Sequence, residues 1–213
     1  MESIFDVDDK VENFDEVVKI EEFCKKHNIR KYEILPDNKV NILEALHLSI
    51  RNKKDISNLI NLNVVKDTLY LDIKKEFNYD LLPEYVGSLY HEGNSIKNHT
   101  FVIRPESTGL VNIGCKKGDW DGFRLRFVEE PMVYPILSGD CRDFLKSATI
   151  ENCSNLVLKP LNLHTLKQKR EFINEVISII ESRFKYIDIK YLIYHTLDNS
   201  DVYERRGDKF ILI

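Results

Sequence analysis

Residues 82–96 constrain this chain more than any others. They read Leu82-Pro83-Glu84-Tyr85-Val86-Gly87-Ser88-Leu89-Tyr90-His91-Glu92-Gly93-Asn94-Ser95-Ile96, and Val86, Leu89, His91, Asn94 and Ile96 fall on the spacing L-x-x-L-x-L-x-x-N-x-L. That spacing predicts a short strand at Leu89-x-His91. It also predicts a turn at Asn94, with the amide side chain hydrogen-bonding backbone groups. One such unit cannot bury its own apolar face, so about three or more must stack. His91 alone is chemically out of place: an imidazole in a leucine slot must find a partner or stay neutral once buried.

The neighbours it needs are present. Ala45-Leu46-His47-Leu48, Thr68-Leu69-Tyr70-Leu71 and Ser88-Leu89-Tyr90-His91 share a small-Leu-aromatic-x pattern, with first residues 23 and then 20 positions apart. A fourth copy is expected at Asn155-Leu156-Val157-Leu158, where Cys153, Leu156, Leu158, Leu161 and Leu163 follow a similar spacing. Leu110-Val111-Asn112-Ile113 and Phe123-Arg124-Leu125-Arg126-Phe127 alternate like strands but lie off the period. Period and pattern are those of a leucine-rich repeat. The expected fold is therefore α/β: an irregular leucine-rich-repeat-like solenoid of short, mostly parallel strands, capped by an N-terminal and a C-terminal helix. The chain reads as one domain over 1–213, with an acidic arm at 1–12, a capping helix at 13–28, the repeats at 29–163, and a helix with a hairpin at 164–213.

The caps are specified locally. Asn13-x-x-Glu16 suits a capping box, Val17, Ile20, Phe23 and Cys24 form one apolar stripe, and Asn28 suits the helix exit. Thr165-x-x-Gln168 opens a second helix, whose Ile173, Val176, Ile177, Ile180, Phe184 and Ile187 recur at helical spacing, widened by Phe172 and Ile179. Residues 189–194 and 210–213 then predict a terminal hairpin around a polar loop. Pro131 and Pro135 make 129–136 an edge strand or loop, and residues 141–146 separately read as one helical turn.

Ile20-Glu21-Glu22-Phe23-Cys24-Lys25-Lys26-His27-Asn28-Ile29, followed by Tyr32-Glu33-Ile34 and Val40-Asn41-Ile42, resembles the opening of short leucine-rich-repeat proteins of tailed bacteriophages and some bacteria. The Leu82-Pro83 ahead of a repeat strand resembles them again. Arg51 and Lys74 stand where that family has asparagines after Leu48 and Leu71, which is why the repeats are expected to be irregular. The resemblance covers the first half of the chain and implies a binding scaffold with no catalytic residues to carry over. It further implies a phage-encoded protein that binds and inhibits a host defence factor in the host cytoplasm.

With 31 Lys plus Arg against 35 Asp plus Glu in 213 residues, no global charge points to nucleic acid or an anionic membrane, and no apolar run is long enough to span one. The imbalance is local: residues 1–22 hold nine carboxylates against Lys10 and Lys19. Cys24, Cys115, Cys141 and Cys153 lack C-x-x-C spacing and read as structural thiols of a reducing compartment. No cofactor is implied. The candidate interaction residues are Trp120, Asp119, Asp121 and Tyr90. A Trp between two aspartates and two glycines suits a loop tip that anchors a partner with a basic surface, and equally suits an indole folded back over the core with its N–H satisfied locally.

The competing enzymatic reading is a small Mg-dependent nuclease of P-D...D-x-K type, with Asp37 and Asp72 as metal ligands and Lys74 orienting the attacking water. It requires Asp37 and Asp72-Ile73-Lys74 to converge. His99-Thr100, His164-Thr165 and His195-Thr196 lack the intervening apolar residue of two-histidine phosphoesterases, and no serine elbow, phosphate-binding glycine loop or His-Glu-x-x-His occurs.

Overall fold

The computed structural model describes residues 6–104, 109–195 and 200–213. In chain order these form α1 (Asp6–Lys26), β1 (Tyr32–Ile34), β2 (Val40–Ile42), β3 (Leu46–Ile50), α2 (Lys53–Ser57), β4 (Leu62–Ile73), a 3₁₀ turn at Tyr79–Leu81, β5 (Tyr85–Gly93), β6 (Thr100–Ile103), β7 (Val111–Cys115), β8 (Arg124–Phe127), β9 (Ile136–Gly139), α3 (Arg142–Ser147), β10 (Thr149–Glu151), β11 (Asn155–Lys159), α4 (Leu166–Arg183), β12 (Asp188–His195), β13 (Ser200–Arg206) and β14 (Lys209–Leu212). The fold is mixed α/β: the described strands make one 14-stranded sheet that does not close on itself. Only β1–β2, β12–β13 and β13–β14 pair antiparallel.

The sheet forks. The first half of β4 pairs β2 and its second half pairs β3, with an irregularity between Val65 and Thr68 where β4 changes neighbours along its length. β5 divides likewise, Tyr85 and Val86 facing β6 while Leu89 to His91 face β7. One branch continues through β6, β8 and β10, the other through β7, β9, β11 and β12. In the second branch Leu46, Leu69, Leu89 and Val111 lie in register on adjacent strands, and all four are buried. Val157 lies in the Ile136–Asn112 row, so Leu156 precedes it as Val111 precedes Asn112. A single apolar cluster gathers the inward residues of both branches with Ile20, Phe23 and Cys24 of α1 and Phe172, Val176 and Ile180 of α4.

Several boundaries differ from expectation. α1 begins at Asp6, so Asn13 is an interior helical position and not an N-cap, and only 1–5 of the expected arm lie outside the described residues. The exit is as expected: Asn28 adopts φ +55°, and Ile29 N–H reaches Cys24 O at 2.8 Å. The turn after β5 is made by Gly93 at φ +113°, where a Cβ would lie 2.0 Å from Ile73 O, rather than by the expected Asn94 amide. Asn94 engages through its main chain, N–H to Ile73 O and C=O to His91.

At the C-terminal end, Thr165 and Gln168 form the expected capping box and α4 buries Phe172, Val176, Ile179 and Ile180. β11 and β12, on either side of α4 in sequence, are parallel neighbours. The expected terminal hairpin is instead a three-stranded meander, because Ser200–Arg206 is a strand between β12 and β14. Its interior residues are all half-buried and its two ends exposed, so it carries no apolar alternation to read. The 129–135 stretch is irregular, and β9 starts only at Ile136, as an interior strand between β7 and β11. Ser107 to Gly109 reads in the sequence as a turn, and of it only Gly109 lies among the described residues.

Candidate functional site

Alternation along β3, β4 and β5 sorts side chains to two faces. Leu46, Leu48 and Ile50 point inward from β3, Leu69, Leu71 and Ile73 from β4, and Leu89 and His91 from β5. The residues between them point outward. In-register pairing places His47 beside Tyr70 and Tyr70 beside Tyr90. The rings stack: His47 and Tyr70 have centroids 4.1 Å apart at 8° between planes, and Tyr70 and Tyr90 5.4 Å apart at 27°. A face-stacked ladder of three rings is thus presented on the outer face, with Tyr70 37% exposed. Its His47 end is held by the turn that follows α1, where His27 Nδ1 lies 3.0 Å from the His47 carbonyl oxygen.

Two residues further along each strand runs a polar row, Ser49, Asp72 and Glu92. Lys74 Nζ lies 2.7 Å from Asp72 Oδ1 and an Arg51 guanidinium nitrogen 3.5 Å from Oδ2. Arg51 Nε also donates to Ser49 Oγ at 2.9 Å. Lys74, foremost, then Arg51 and Ser49, hold the Asp72 carboxyl below the usual carboxylate range against the opposing effect of partial burial. The ladder and this row line an open groove of about 280 Å³. Its chemistry is stacking surface edged by carboxylates, suited to binding.

Of the residues expected to form an interaction site, Tyr90 lies in this groove. Trp120 does not: it is fully buried, its Nε1–H donates to Lys116 O at 3.3 Å, and it packs edge-on against His91, Phe123 and Phe144. The loop-tip anchor is therefore corrected in favour of the indole folded into the core. Burying a large apolar ring with its one donor satisfied is favourable, whereas exposing it is not. Asp119 and Asp121 remain exposed. Asp119 accepts from Asp121 N–H at 3.0 Å and pairs with Lys97 at 3.0 Å, so it braces its own loop. His47, Tyr70 and Glu92 were not among the expected site residues, although the aromatic third position of the small-Leu-aromatic-x repeat already marked two of them.

His91, at 1% exposure, is the buried polar member of the inward row. Its Nε2–H donates to Asn94 O at 3.0 Å, which leaves Nδ1 buried as an acceptor without a partner. Burial pushes its pKa down to about 4, against the opposing Asn94 bond.

The nuclease halves do not meet. Asp37 sits in the β1–β2 turn and is engaged by Lys39 at 3.0 Å. β2 pairs the start of β4 at Leu62 to Val65, whereas Asp72 and Lys74 lie at the far end of β4. Among the described residues, no group of three or more His, Cys, Asp or Glu side chains is placed to hold a metal ion. All four cysteines are free and buried, and desolvation pushes the thiols of Cys141 and Cys153 up to about 12 and Cys24 to about 11. No described helix is long and apolar enough to cross a membrane. No protein-family model, no curated protein and no solved structure matches this chain.

Proposed function

We propose that this chain is a non-enzymatic protein-binding scaffold whose contact surface is the outer face of β3, β4 and β5. The observation that carries the reading is the His47–Tyr70–Tyr90 ladder. Stacked aromatic side chains left facing solvent on a rigid sheet supply contact area at low entropic cost, and Tyr is enriched where proteins bind one another. The in-register rows of Leu46, Leu69, Leu89 and Val111 support an irregular leucine-rich-repeat-like solenoid as the frame, with one strand of the face per turn. The resemblance of residues 20–42 to short bacteriophage leucine-rich-repeat proteins makes a host defence factor in the bacterial cytoplasm the partner class to test first.

The test is affinity capture from bacterial lysate with the wild-type chain and with a Tyr70→Ser/Tyr90→Ser double variant, both checked for equal thermal stability. A protein retained by the first and lost by the second is expected. A captured set identical for the two chains refutes this face as the binding surface.

A further inference from the structure

The β14 edge of the sheet is unguarded. Among the described residues β14 pairs only with β13 and ends the strand order. Ile213 N–H donates to Val202 O at 3.0 Å, and main-chain bonds in an antiparallel pair alternate from residue to residue, so Lys209, Ile211 and Ile213 turn theirs to β13. Phe210 and Leu212 turn their N–H and C=O groups away from it, onto the free edge. The side chains there are apolar: Ile211, Leu212 and Ile213 are 43%, 57% and 62% exposed, and Leu212 lies on the same strand face as Phe210, which packs against the core. The apolar inner face of the sheet therefore runs out to this edge and is left uncovered. Other free edges carry safeguards. β1 and β10 are three residues long and hold Glu33 and Glu151, Pro36 follows β1, and the His47 carbonyl of β3 is engaged by His27.

We propose that β14 is a dimerisation edge, on which a second copy of this chain pairs antiparallel about a two-fold axis beside Ile211. In that register Phe210 of each copy lies opposite Leu212 of the other and the two exchange both main-chain bonds, so every outward group finds a partner. Ile211 meets Ile211 of the second copy as a non-hydrogen-bonded pair. The charges keep apart: Lys209 faces Ile213 of the second copy and lies about 14 Å from its own counterpart. An axis at Phe210 would instead set Asp208, from the β13–β14 turn, against the apolar Leu212. The edge is thus its own complement, as a closed two-fold interface requires, whereas pairing with a different edge would be head-to-tail and would not close. A strand this short buries less than a stable interface does, so the dimer forms only at high concentration. The face of β3, β4 and β5, at the other end of the strand order, is left free.

Sedimentation velocity of the full chain from about 10 μM to about 1 mM is expected to show monomer passing into dimer. Ile211→Lys, checked for an unchanged melting temperature, is expected to stay monomeric throughout, because it sets two ammonium groups opposite one another across the axis. Cross-linking reads the register. All four native cysteines are buried, so a cysteine placed on β14 is the reactive thiol. A non-hydrogen-bonded pair holds its Cα atoms about 4.5 Å apart, within disulfide reach. With diamide as oxidant, Ile211→Cys is expected to give covalent dimer at least about tenfold faster than Lys209→Cys, whose thiols lie too far apart. A chain that stays monomeric at about 1 mM, or that forms assemblies larger than a dimer, overturns the proposal. So does a dimer that persists in Ile211→Lys, or Lys209→Cys cross-linking as fast as Ile211→Cys.

Discussion

Replacing His91 by leucine tests how a polar group is tolerated in the most buried row of the sheet. At neutral pH the change removes one hydrogen bond, from Nε2 to Asn94 O, and one buried acceptor without a partner, Nδ1. The first costs about 1 kcal/mol and the second returns about 1 to 3 kcal/mol, so His91→Leu is expected to be neutral or stabilising at pH 7. Acid separates the two proteins further. In the folded chain His91 stays neutral down to about pH 4, whereas in the unfolded chain it titrates near the ordinary 6.5. Between those values the unfolded state binds the extra proton, so the contribution of His91 falls as pH drops through 6.5 and levels off below 4. The full difference corresponds to about 3 kcal/mol. His99, also lowered by burial, and the carboxylates Asp72 and Asp119, held low by their partners, lose stability in acid as well. They are common to both proteins and cancel in the difference. Urea denaturation of wild type and His91→Leu from pH 7.5 to 4 measures it: the gap is expected to widen by about 3 kcal/mol in favour of leucine. A gap that does not change with pH, or a His91 ring signal that titrates near 6.5 in the native state, refutes the buried, neutral imidazole.

Leu89→Ala, in the middle of the Leu46–Leu69–Leu89–Val111 row, is expected to cost about 2 to 5 kcal/mol by urea denaturation, and a loss under about 1 kcal/mol contradicts a packed row there. Trp120→Ala is expected to cost about 3 to 5 kcal/mol. Because Trp120 is the only tryptophan, the native emission of the wild type should be blue-shifted and move red on unfolding; a native spectrum already at the solvent-exposed position contradicts its burial. Gly93→Ala is expected to lower the melting temperature by more than Gly109→Ala, since a Cβ at Gly93 meets Ile73 O at 2.0 Å whereas one at Gly109 meets nothing within 4 Å. Equal effects of the two remove the steric argument.

Local and periodic signals were readable from the chain alone. The Leu-aromatic-x pattern at 46, 69 and 89 placed three strands and their inward leucines, because alternation at period two is a property of a single strand and needs no partner to be seen. The Thr165-x-x-Gln168 box and the apolar stripe after it placed α4 for the same reason: a capping bond and a helical face are both closed within a few residues. Ser200–Arg206 escaped because a strand half-buried on both faces takes its order from the hydrogen bonds of β12 and β14 and shows no alternation between buried and exposed positions. The choice between a surface and a core Trp120 turned on His91 and Phe144, which come from other parts of the chain. The groove was half visible: the repeat showed which residues are aromatic, but only the registers of β3, β4 and β5 bring three rings into one stack. The register of β5 with β7 sets Glu92 beside Gly114, and that of β2 with the start of β4 holds Asp37 away from Asp72. Those relations are distances between strands remote in sequence, and packing alone sets them.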